Sequence, residues 1–218
     1  MALRRVAIYG GTFDPVHNGH LEVARRVRKL FELDEVIFVP ACVPPHKRNA
    51  NITSAFHRFA MLALATEAEH HLRVSTVELD MPELPYAVET IARMKSASTR
   101  TFFLIGADSW SEISTWHEWQ KLLTMCDLIV VTRPGYEVKS IESPVAKVVD
   151  LRDVEANLVR EALKEDGEPR VFITNVAMID VAATKIRLAV KANDGARLKD
   201  MVPAAVARYI EKYGLYQN

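Results

Sequence analysis

Two histidines three residues apart, His17 and His20, are the side chains in this sequence best suited to chemistry. On a first helical turn, rings at that spacing face the same side, and two imidazoles can stabilise charge on a phosphoryl or nucleotidyl group. They follow Gly10 and Gly11, which let the backbone turn sharply and lie close against a ligand. No third ligand is near in sequence and H-E-x-x-H is absent, so we expect no protein-held metal. The pattern predicts a phosphate site in which histidines carry the charge.

The segments on either side of the glycines are predicted to position the two histidines. Val6 to Tyr9 has the length and composition of a strand buried in a parallel sheet, and apolar residues recur at helical spacing from Leu21 onward. A strand, a glycine turn and a helix N-terminus together collect backbone N–H groups and the positive end of a helix dipole. The motifs G-x-x-x-x-G-K-[ST] and G-x-G-x-x-G are absent, which argues against a P-loop enzyme and against the usual dinucleotide-binding dehydrogenase.

The charge balance and the cysteine count of the chain indicate which kinds of partner and which cellular compartment to expect. The chain of 218 residues carries 28 Lys plus Arg against 28 Asp plus Glu, so its formal net charge is zero. Without a global basic field, polymeric nucleic acid is not an expected partner. Cys42 and Cys126 are too few for a disulfide framework, and neither a signal peptide nor a membrane-spanning apolar run is present, so we expect a cytoplasmic protein.

Alternating apolar strands and amphipathic helices along the rest of the chain predict one doubly wound α/β domain, residues 1–218, with a mainly parallel sheet. The further strands are predicted at residues 36–40, 72–77, 101–106, 128–132 and 171–174, with a weaker candidate at 145–150. Closing helices are expected from about residue 184, one ending near Gly195 and another covering 201–213. We interpret the 140–170 region as an elaboration without recognisable chemistry.

Three charged residues follow predicted strands, where loops line the ligand crevice of an α/β sheet. Lys47 lies in a proline-stiffened basic loop that either faces solvent or meets phosphate. Asp108 follows the most apolar strand. Its carboxylate can accept hydrogen bonds from ribose hydroxyls, cap the next helix, or do both. Arg133 fits a ligand-side cation and a structural ion pair equally well. Of Trp116 and Trp119, one is expected to pack in the core, and the other offers a flat face on which an aromatic ring can stack.

The stretch G-G-T-F-D-P-V-H-N-G-H, residues 10–20, resembles the signature of the H-x-G-H nucleotidyltransferase superfamily, and within it that of the bacterial nicotinate-nucleotide adenylyltransferases. Six further segments are similar to segments of this family, in the same order, so that the resemblance covers nearly the whole chain. Two departures stand out. Ala87 and Glu89 replace a hydroxyl residue and an aspartate in P-Y-A-V-E-T, and Ala182 and Ala183 replace two serines before Thr184.

The resemblance implies adenylyl transfer from ATP to nicotinate mononucleotide, forming deamido-NAD and pyrophosphate in NAD biosynthesis, with Mg²⁺ as the cofactor. It implies a Rossmann-like nucleotidyltransferase fold and the catalytic residues His17, His20 and Arg187. The implied ATP-binding residues are Gly10, Gly11, Thr12, Phe13, His20, Lys47, Gly106, Asp108, Thr184 and Arg187. The implied nicotinate mononucleotide-binding residues are Lys47, Tyr86, Ala87, Thr90, Trp116, His117 and Arg133. Of these, Tyr86, Ala87 and His117 would use backbone N–H groups on the nicotinate carboxylate.

Two alternatives stay open at this point. One is another H-x-G-H adenylyltransferase, such as one acting on phosphopantetheine, against which Trp116 and the Tyr86 segment argue. The other is a non-catalytic nucleotide-binding module, which Ala182 and Ala183 make conceivable and which His17 and His20 argue against. In each case we expect small nucleotides as partners and no membrane, and we allow for a homo-oligomer.

Overall fold

The computed structural model describes residues 3–42, 52–81, 85–132, 145–164, 167–177 and 181–217. Within them lies a seven-stranded sheet in the order β3-β2-β1-β4-β5-β7-β6, in which every neighbouring pair is parallel. The strands are β1 (Arg4–Gly11), β2 (Glu35–Pro40), β3 (Leu72–Val74), β4 (Thr99–Gly106), β5 (Asp127–Val131), β6 (Lys147–Asp150) and β7 (Arg170–Thr174). The predicted α/β fold with a parallel sheet is confirmed.

Helices cover both faces of this sheet. They are α1 (Asn18–Leu30), α2 (Ala55–Thr66), α3 (Ala87–Met94), α4 (Ala107–Ser111), α5 (Trp119–Met125), α6 (Ala156–Lys164), α7 (Ala183–Lys191), α8 (Gly195–Met201) and α9 (Ala204–Lys212), with a short 3-10 helix at Ile113–Thr115. Alternate residues of β1 point to opposite sides. Ala7 and Tyr9 pack with α1, α2 and α6–α9, whereas Ile8 packs with α3–α5. Two apolar cores therefore hold the doubly wound arrangement together.

The crossing of the chain places a crevice beside β1. From β1 the chain moves outward to β2 and β3, then returns to β4 on the other side of β1. The first strand runs into α1 and the fourth into α4, which diverge to opposite faces of the sheet. Ligands of open α/β sheets bind at such a switch point, beyond the carboxyl ends of the strands. The glycine turn of β1 and Gly106 of β4 lie at this edge.

Three predicted element boundaries were wrong. The third strand ends at Val74, because the carbonyl of Thr76 accepts from Leu79 and Asp80 in a turn that stops the extended chain. Helix α7 ends at Lys191, with Asn193 in the left-handed region (φ 54°), and Gly195 begins α8 instead of closing α7. Pro203 separates α8 from α9, since proline lacks an N–H and disfavours helical geometry in the residue before it.

The 140–170 region is part of the sheet where the structure describes it. Strand β6 pairs in parallel with β7, and Leu151, Val159 and Leu163 are buried in the core on the α1 side. The candidate strand at 145–150 is confirmed by β6. The segment extends the sheet by one edge strand and its covering helix.

Candidate active site

A pocket lies at the predicted switch point, beyond the carboxyl ends of β1, β4 and β5. Its walls come from the first histidine pair, the strand ends and the approach to α7, namely Tyr9, His17, Gly19, His20, Val23, Ile105, Gly106, Val131, Thr132, Ala177 and Val181. The N-termini of α1 and α7 thus meet at one cavity. Helix N-termini carry amide groups without partners within the helix and the positive end of the helix dipole, and both favour anionic groups.

His17 and His20 form one rigid unit at the start of α1. Their rings are stacked, with centroids 3.6 Å apart and planes 20° from parallel. His17 is the N-cap residue, and its Nδ1 accepts from the backbone N–H of His20 at 3.3 Å. The reciprocal bond runs from the backbone N–H of His17 to Nδ1 of His20, also at 3.3 Å. The expectation that both rings face one side is confirmed.

This reciprocal capping determines which ring nitrogen carries the proton. Because both Nδ1 atoms accept hydrogen bonds, a neutral ring carries its proton on Nε2. An Nε2–H group is a donor suited to an anionic oxygen. His17 is only 5 % exposed, so its ring is held in place before any ligand arrives.

Aromatic side chains lie close to the glycines of the turn. A Cβ on Gly11 would lie 2.8 Å from the Phe13 ring, and a Cβ on Gly19 would lie 3.0 Å from Nδ1 of His17. A Cβ on Gly10 would meet the Phe103 ring at 3.1 Å. Phe13 itself has a left-handed backbone (φ 50°), which is unfavourable for a bulky residue and is maintained only by its surroundings.

The start of α7 is the second phosphate candidate. Its N-cap, Ala182, provides no side-chain cap hydrogen bond, which follows directly from the missing serine hydroxyl. Arg187 donates from Nη2 to Oγ1 of Thr184 at 3.2 Å and from Nη1 to the carbonyl oxygen of Asp14 at 2.7 Å. The structure therefore brings Arg187 and Thr184 together and connects them to the turn that carries His17.

The residues predicted to hold a pyridine nucleotide also lie together. The rings of Tyr86 and His117 are 4.4 Å apart, and Trp116 packs edge-on against Phe103 at 6.3 Å. Phe103 in turn faces Gly10, so this aromatic group adjoins the glycine turn. Asp108 lies in the exposed first turn of α4, directly after Gly106 of the pocket. Lys47 and Arg133 lie outside the described residues.

Two residues predicted to bind the nicotinate nucleotide at the start of α3 have hydrogen-bond partners within the protein. The backbone N–H of Tyr86 donates to Oε2 of Glu89 at 3.0 Å, so a ligand carboxylate would have to replace Glu89 there. Ala87 is the first residue of α3, and its amide has no carbonyl partner within the helix. Thr90 is only 2 % exposed, and its hydroxyl donates to Oε1 of Glu78 at 2.8 Å. The side chain of Thr90 thus faces the protein interior, and its contact with a ligand stays a prediction.

Glu78 was missed by the sequence reasoning, as no motif marks it. Besides Thr90, it accepts from the backbone N–H of Cys42 at 3.3 Å, so it joins the loop after β2 to the start of α3. Burial raises the pKa of its carboxyl above the ordinary value of 4.5. The native state therefore binds more protons than the unfolded chain above about pH 4.5, and ionisation of Glu78 lowers stability as the pH rises through its folded pKa.

We accordingly predict that Glu78→Gln becomes more stable relative to the unsubstituted protein as the pH rises from about 4 to 7, because glutamine cannot ionise. Urea unfolding at a series of pH values measures the difference. Glu118→Gln is the matched control, since the pKa of that exposed carboxyl is lowered by its hydrogen bond with Lys121. A difference for Glu78→Gln that stays constant or falls with pH would contradict the assignment.

Arg58 was also missed, although a charged residue within the apolar face of α2 is a visible signal. It is 1 % exposed, and all four of its described hydrogen bonds go to backbone carbonyl oxygens. These belong to Thr12 after β1, to Ala41 and Cys42 after β2, and to Thr53 before α2. Burial lowers the pKa of the guanidinium, partly offset by nearby Asp14. Arg58 therefore holds the glycine-turn loop and the loop after β2 together.

Comparison with known proteins matches this geometry to a family. Residues 8–189 match the model of the cytidylyltransferase-like family. A probable nicotinate-nucleotide adenylyltransferase of Thermoanaerobacter sp. (strain X514) is 38% identical over 217 residues, covering 98% of this chain and 95% of the relative. One of Moorella thermoacetica is 36% identical over 216 residues, covering 98% and 92%. The chain belongs to the nicotinate-nucleotide adenylyltransferase family.

Solved structures agree on the fold of this family member. Nicotinic acid mononucleotide adenylyltransferase of Plasmodium falciparum, complexed with NaAD, superposes with a TM-score of 0.72 at 18% identity, covering 98% of this chain and 97% of that one. The fold is therefore shared well beyond the range of close sequence similarity. Among the described residues of this adenylyltransferase family member, no helix is long and apolar enough to cross a membrane.

Proposed function

We propose that this protein transfers the adenylyl group of ATP to nicotinate mononucleotide, forming deamido-NAD and pyrophosphate. The observation that carries the proposal is the meeting of the stacked His17–His20 pair with the uncapped start of α7 at one pocket. Such a site supplies several N–H donors and two imidazoles to a polyphosphate. The names of the full-length relatives support the same reaction.

The reaction requires no covalent intermediate with the protein. An oxygen of the 5′-phosphate of nicotinate mononucleotide attacks the α-phosphorus of ATP, and the bond from that phosphorus to the bridging oxygen breaks as pyrophosphate leaves. Positioning and charge stabilisation supply most of the catalysis in phosphoryl transfer. The Nε2–H groups of His17 and His20 would stabilise charge on the α- and β-phosphates. The α7 amides, Thr184 and Arg187 would hold the rest of the triphosphate.

The acceptor would lie on the aromatic side of the glycine turn. Trp116 packs through its ring edge on Phe103, and its buried indole nitrogen has no hydrogen-bond partner among the described residues. The ring is thus positioned by apolar contact and can stack on a pyridine. The backbone N–H groups of Ala87 and His117 would bind the nicotinate carboxylate. The carboxylate of Asp108 would accept hydrogen bonds from the hydroxyls of a ribose. Lys47 and Arg133, outside the described residues, stay predictions.

Magnesium is proposed as an ion that arrives with ATP. The described residues contain no group of three or more His, Cys, Asp or Glu side chains that could hold a metal. This fits Mg²⁺, which commonly keeps several waters and binds substrate phosphates instead of an all-protein cage. When bound, it would neutralise phosphate charge. A cytoplasmic location is proposed because Cys42 and Cys126 are both free thiols, and homo-oligomerisation stays a prediction.

Pyrophosphate release tests the reaction directly. Mg-ATP is supplied with nicotinate mononucleotide, nicotinamide mononucleotide or phosphopantetheine in parallel, and released pyrophosphate is measured with each acceptor. We expect release with nicotinate mononucleotide and much slower release with the other two. Release with phosphopantetheine alone would assign a different adenylyltransferase. Measurable ATP binding without release in any arm would instead favour the binding module, with Ala182 and Ala183 as its explanation.

A further inference from the structure

The segment after α9 folds back toward the catalytic turn. Gly214 (φ 58°) and Tyr216 (φ 63°) both adopt the left-handed backbone region, and the N–H of Leu215 donates to the carbonyl of Ile210 at 3.0 Å. That region suits glycine but is unfavourable for an aromatic residue. Such a conformation persists where surrounding contacts enforce it, and it occurs preferentially at functional sites. The contacts of Tyr216 therefore need an explanation.

Those contacts centre on Asp14. The phenol of Tyr216 donates to Oδ1 of Asp14 at 2.6 Å, across 202 positions of sequence. Asp14 is only 6 % exposed. Burial, the adjacent carboxylate and the hydrogen bond to it raise the pKa of the phenol, so that Tyr216 keeps its proton at neutral pH and stays a donor. The carboxylate is thus stabilised by a donor from a distant part of the chain.

Asp14 connects directly to the residues proposed for catalysis. It lies three positions before His17 and follows Phe13, whose left-handed backbone makes this part of the turn strained. Its second carboxylate oxygen accepts from the N–H of Thr53 at 3.4 Å, and its carbonyl accepts from Arg187 at 2.7 Å. A displacement of Asp14 would therefore move the entry to the His17 cap and the anchor of Arg187 together.

We infer that Tyr216 is a positioning residue for the catalytic turn. Its phenol fixes Asp14, and through Asp14 it sets the placement of His17 and Arg187 around the phosphate pocket. The inference rests on the proposed function for its effect on turnover. Through Tyr216, the segment after α9 contributes to the geometry of a site that lies at the ends of strands distant from it in sequence.

The test is Tyr216→Phe, which removes one oxygen and leaves the ring. Misplacement of catalytic groups is expected to lower kcat by about 10- to 100-fold. Tyr213→Phe is the matched control, because Tyr213 is 50% exposed and contacts Tyr209 and His57 through its ring. It should leave kcat within about twofold. Unchanged kcat in folded Tyr216→Phe would overturn the inference.

A second measurement separates this inference from the proposed function. Histidine ring NMR signals report the environment of His17 and His20 without any turnover. Tyr216→Phe should shift or broaden them, whereas Tyr213→Phe should not; unshifted signals in Tyr216→Phe count against the inference. If the unsubstituted protein releases no pyrophosphate with any acceptor, the proposed function fails and this spectroscopic arm still decides whether Tyr216 positions the pair.

A variant on the other partner keeps the test valid if Tyr216→Phe does not fold. Asp14→Asn retains an oxygen that can accept from the phenol, so it should keep most of the coupling and lower kcat less than Asp14→Ala does. Where Tyr216→Phe does fold, adding it to Asp14→Ala should lower kcat little further if Asp14 and Tyr216 act as a unit. Equal loss in Asp14→Asn and Asp14→Ala, or independent additive losses, would contradict the inference.

Discussion

Replacement of His17 by asparagine is expected to lower kcat for adenylyl transfer by about 10²- to 10³-fold, the range seen when one preorganised charge donor is removed. The fold should stay intact. The Oδ1 atom of asparagine occupies the place of Nδ1 and can accept from the N–H of His20, since asparagine is among the best N-cap residues. The substitution therefore keeps the capping function of His17 and removes its imidazole ring, with the Nε2–H donor and the stacking on His20.

The comparison with His17→Ala separates the two functions of the side chain. Alanine removes both the donor and the cap, so it should lose kcat to a similar extent and also about 0.5–2 kcal/mol of unfolding free energy. Denaturant unfolding gives the second quantity for both variants. His20→Gln is a companion variant, since glutamine at the third helical position can retain the capping-box acceptor. An unchanged kcat in His17→Asn would show that His17 takes no part in catalysis.

The sequence predicted the fold well because its strongest signals are local and periodic. The run from Val6 to Tyr9 and the helical spacing after His20 required no knowledge of distant residues, and both elements formed as expected. Boundaries were less certain because turns outside any strong pattern ended them. The Thr76 turn is made by backbone and side-chain bonds that composition alone does not reveal.

The parts of the site that were missed depend on long-range contacts. His17 and His20 are close in sequence, so their spacing was sufficient to predict a shared face. Tyr216 and Asp14 are separated by 202 positions, and no local pattern predicts that they bond. The hydrogen bond between Thr90 and Glu78 was likewise not predicted, because the two residues lie 12 positions apart and no motif joins them.

Arg58→Met is expected to destabilise the protein by at least about 3 kcal/mol, because each buried carbonyl left without a donor costs about 1–3 kcal/mol. Methionine has a similar length and no hydrogen-bond donor. Arg58 provides donors to four buried or half-buried loop carbonyls at 2.6–3.0 Å. The denaturant midpoint should fall at nearly constant slope if the variant still unfolds in one step.

Arg25→Met is the matched control, and it should destabilise the protein much less than Arg58→Met does. Arg25 makes a two-point ion pair with Glu69, yet the pair is exposed to solvent, and such surface pairs contribute at most about 1 kcal/mol. If ion pairing were the main contribution of arginine to stability here, Arg25 would matter more than Arg58, which has no carboxylate among its described hydrogen-bond partners. We expect the opposite order, because Arg58 is buried and its loss leaves several loop carbonyls without their donor.

Arg58→Met should also weaken ATP binding. Arg58 holds the loop after β1, whose strand lines the pocket, to the loop after β2. Separation of these loops should raise KM for ATP in the fraction of Arg58→Met that stays folded. Arg58→Lys keeps the charge but presents a single ammonium in place of the planar guanidinium. Its stability and its KM for ATP should lie between those of the unsubstituted protein and those of Arg58→Met. A stable Arg58→Met protein with unchanged KM for ATP would show that the loops hold their positions without the guanidinium, and that its burial has another cause.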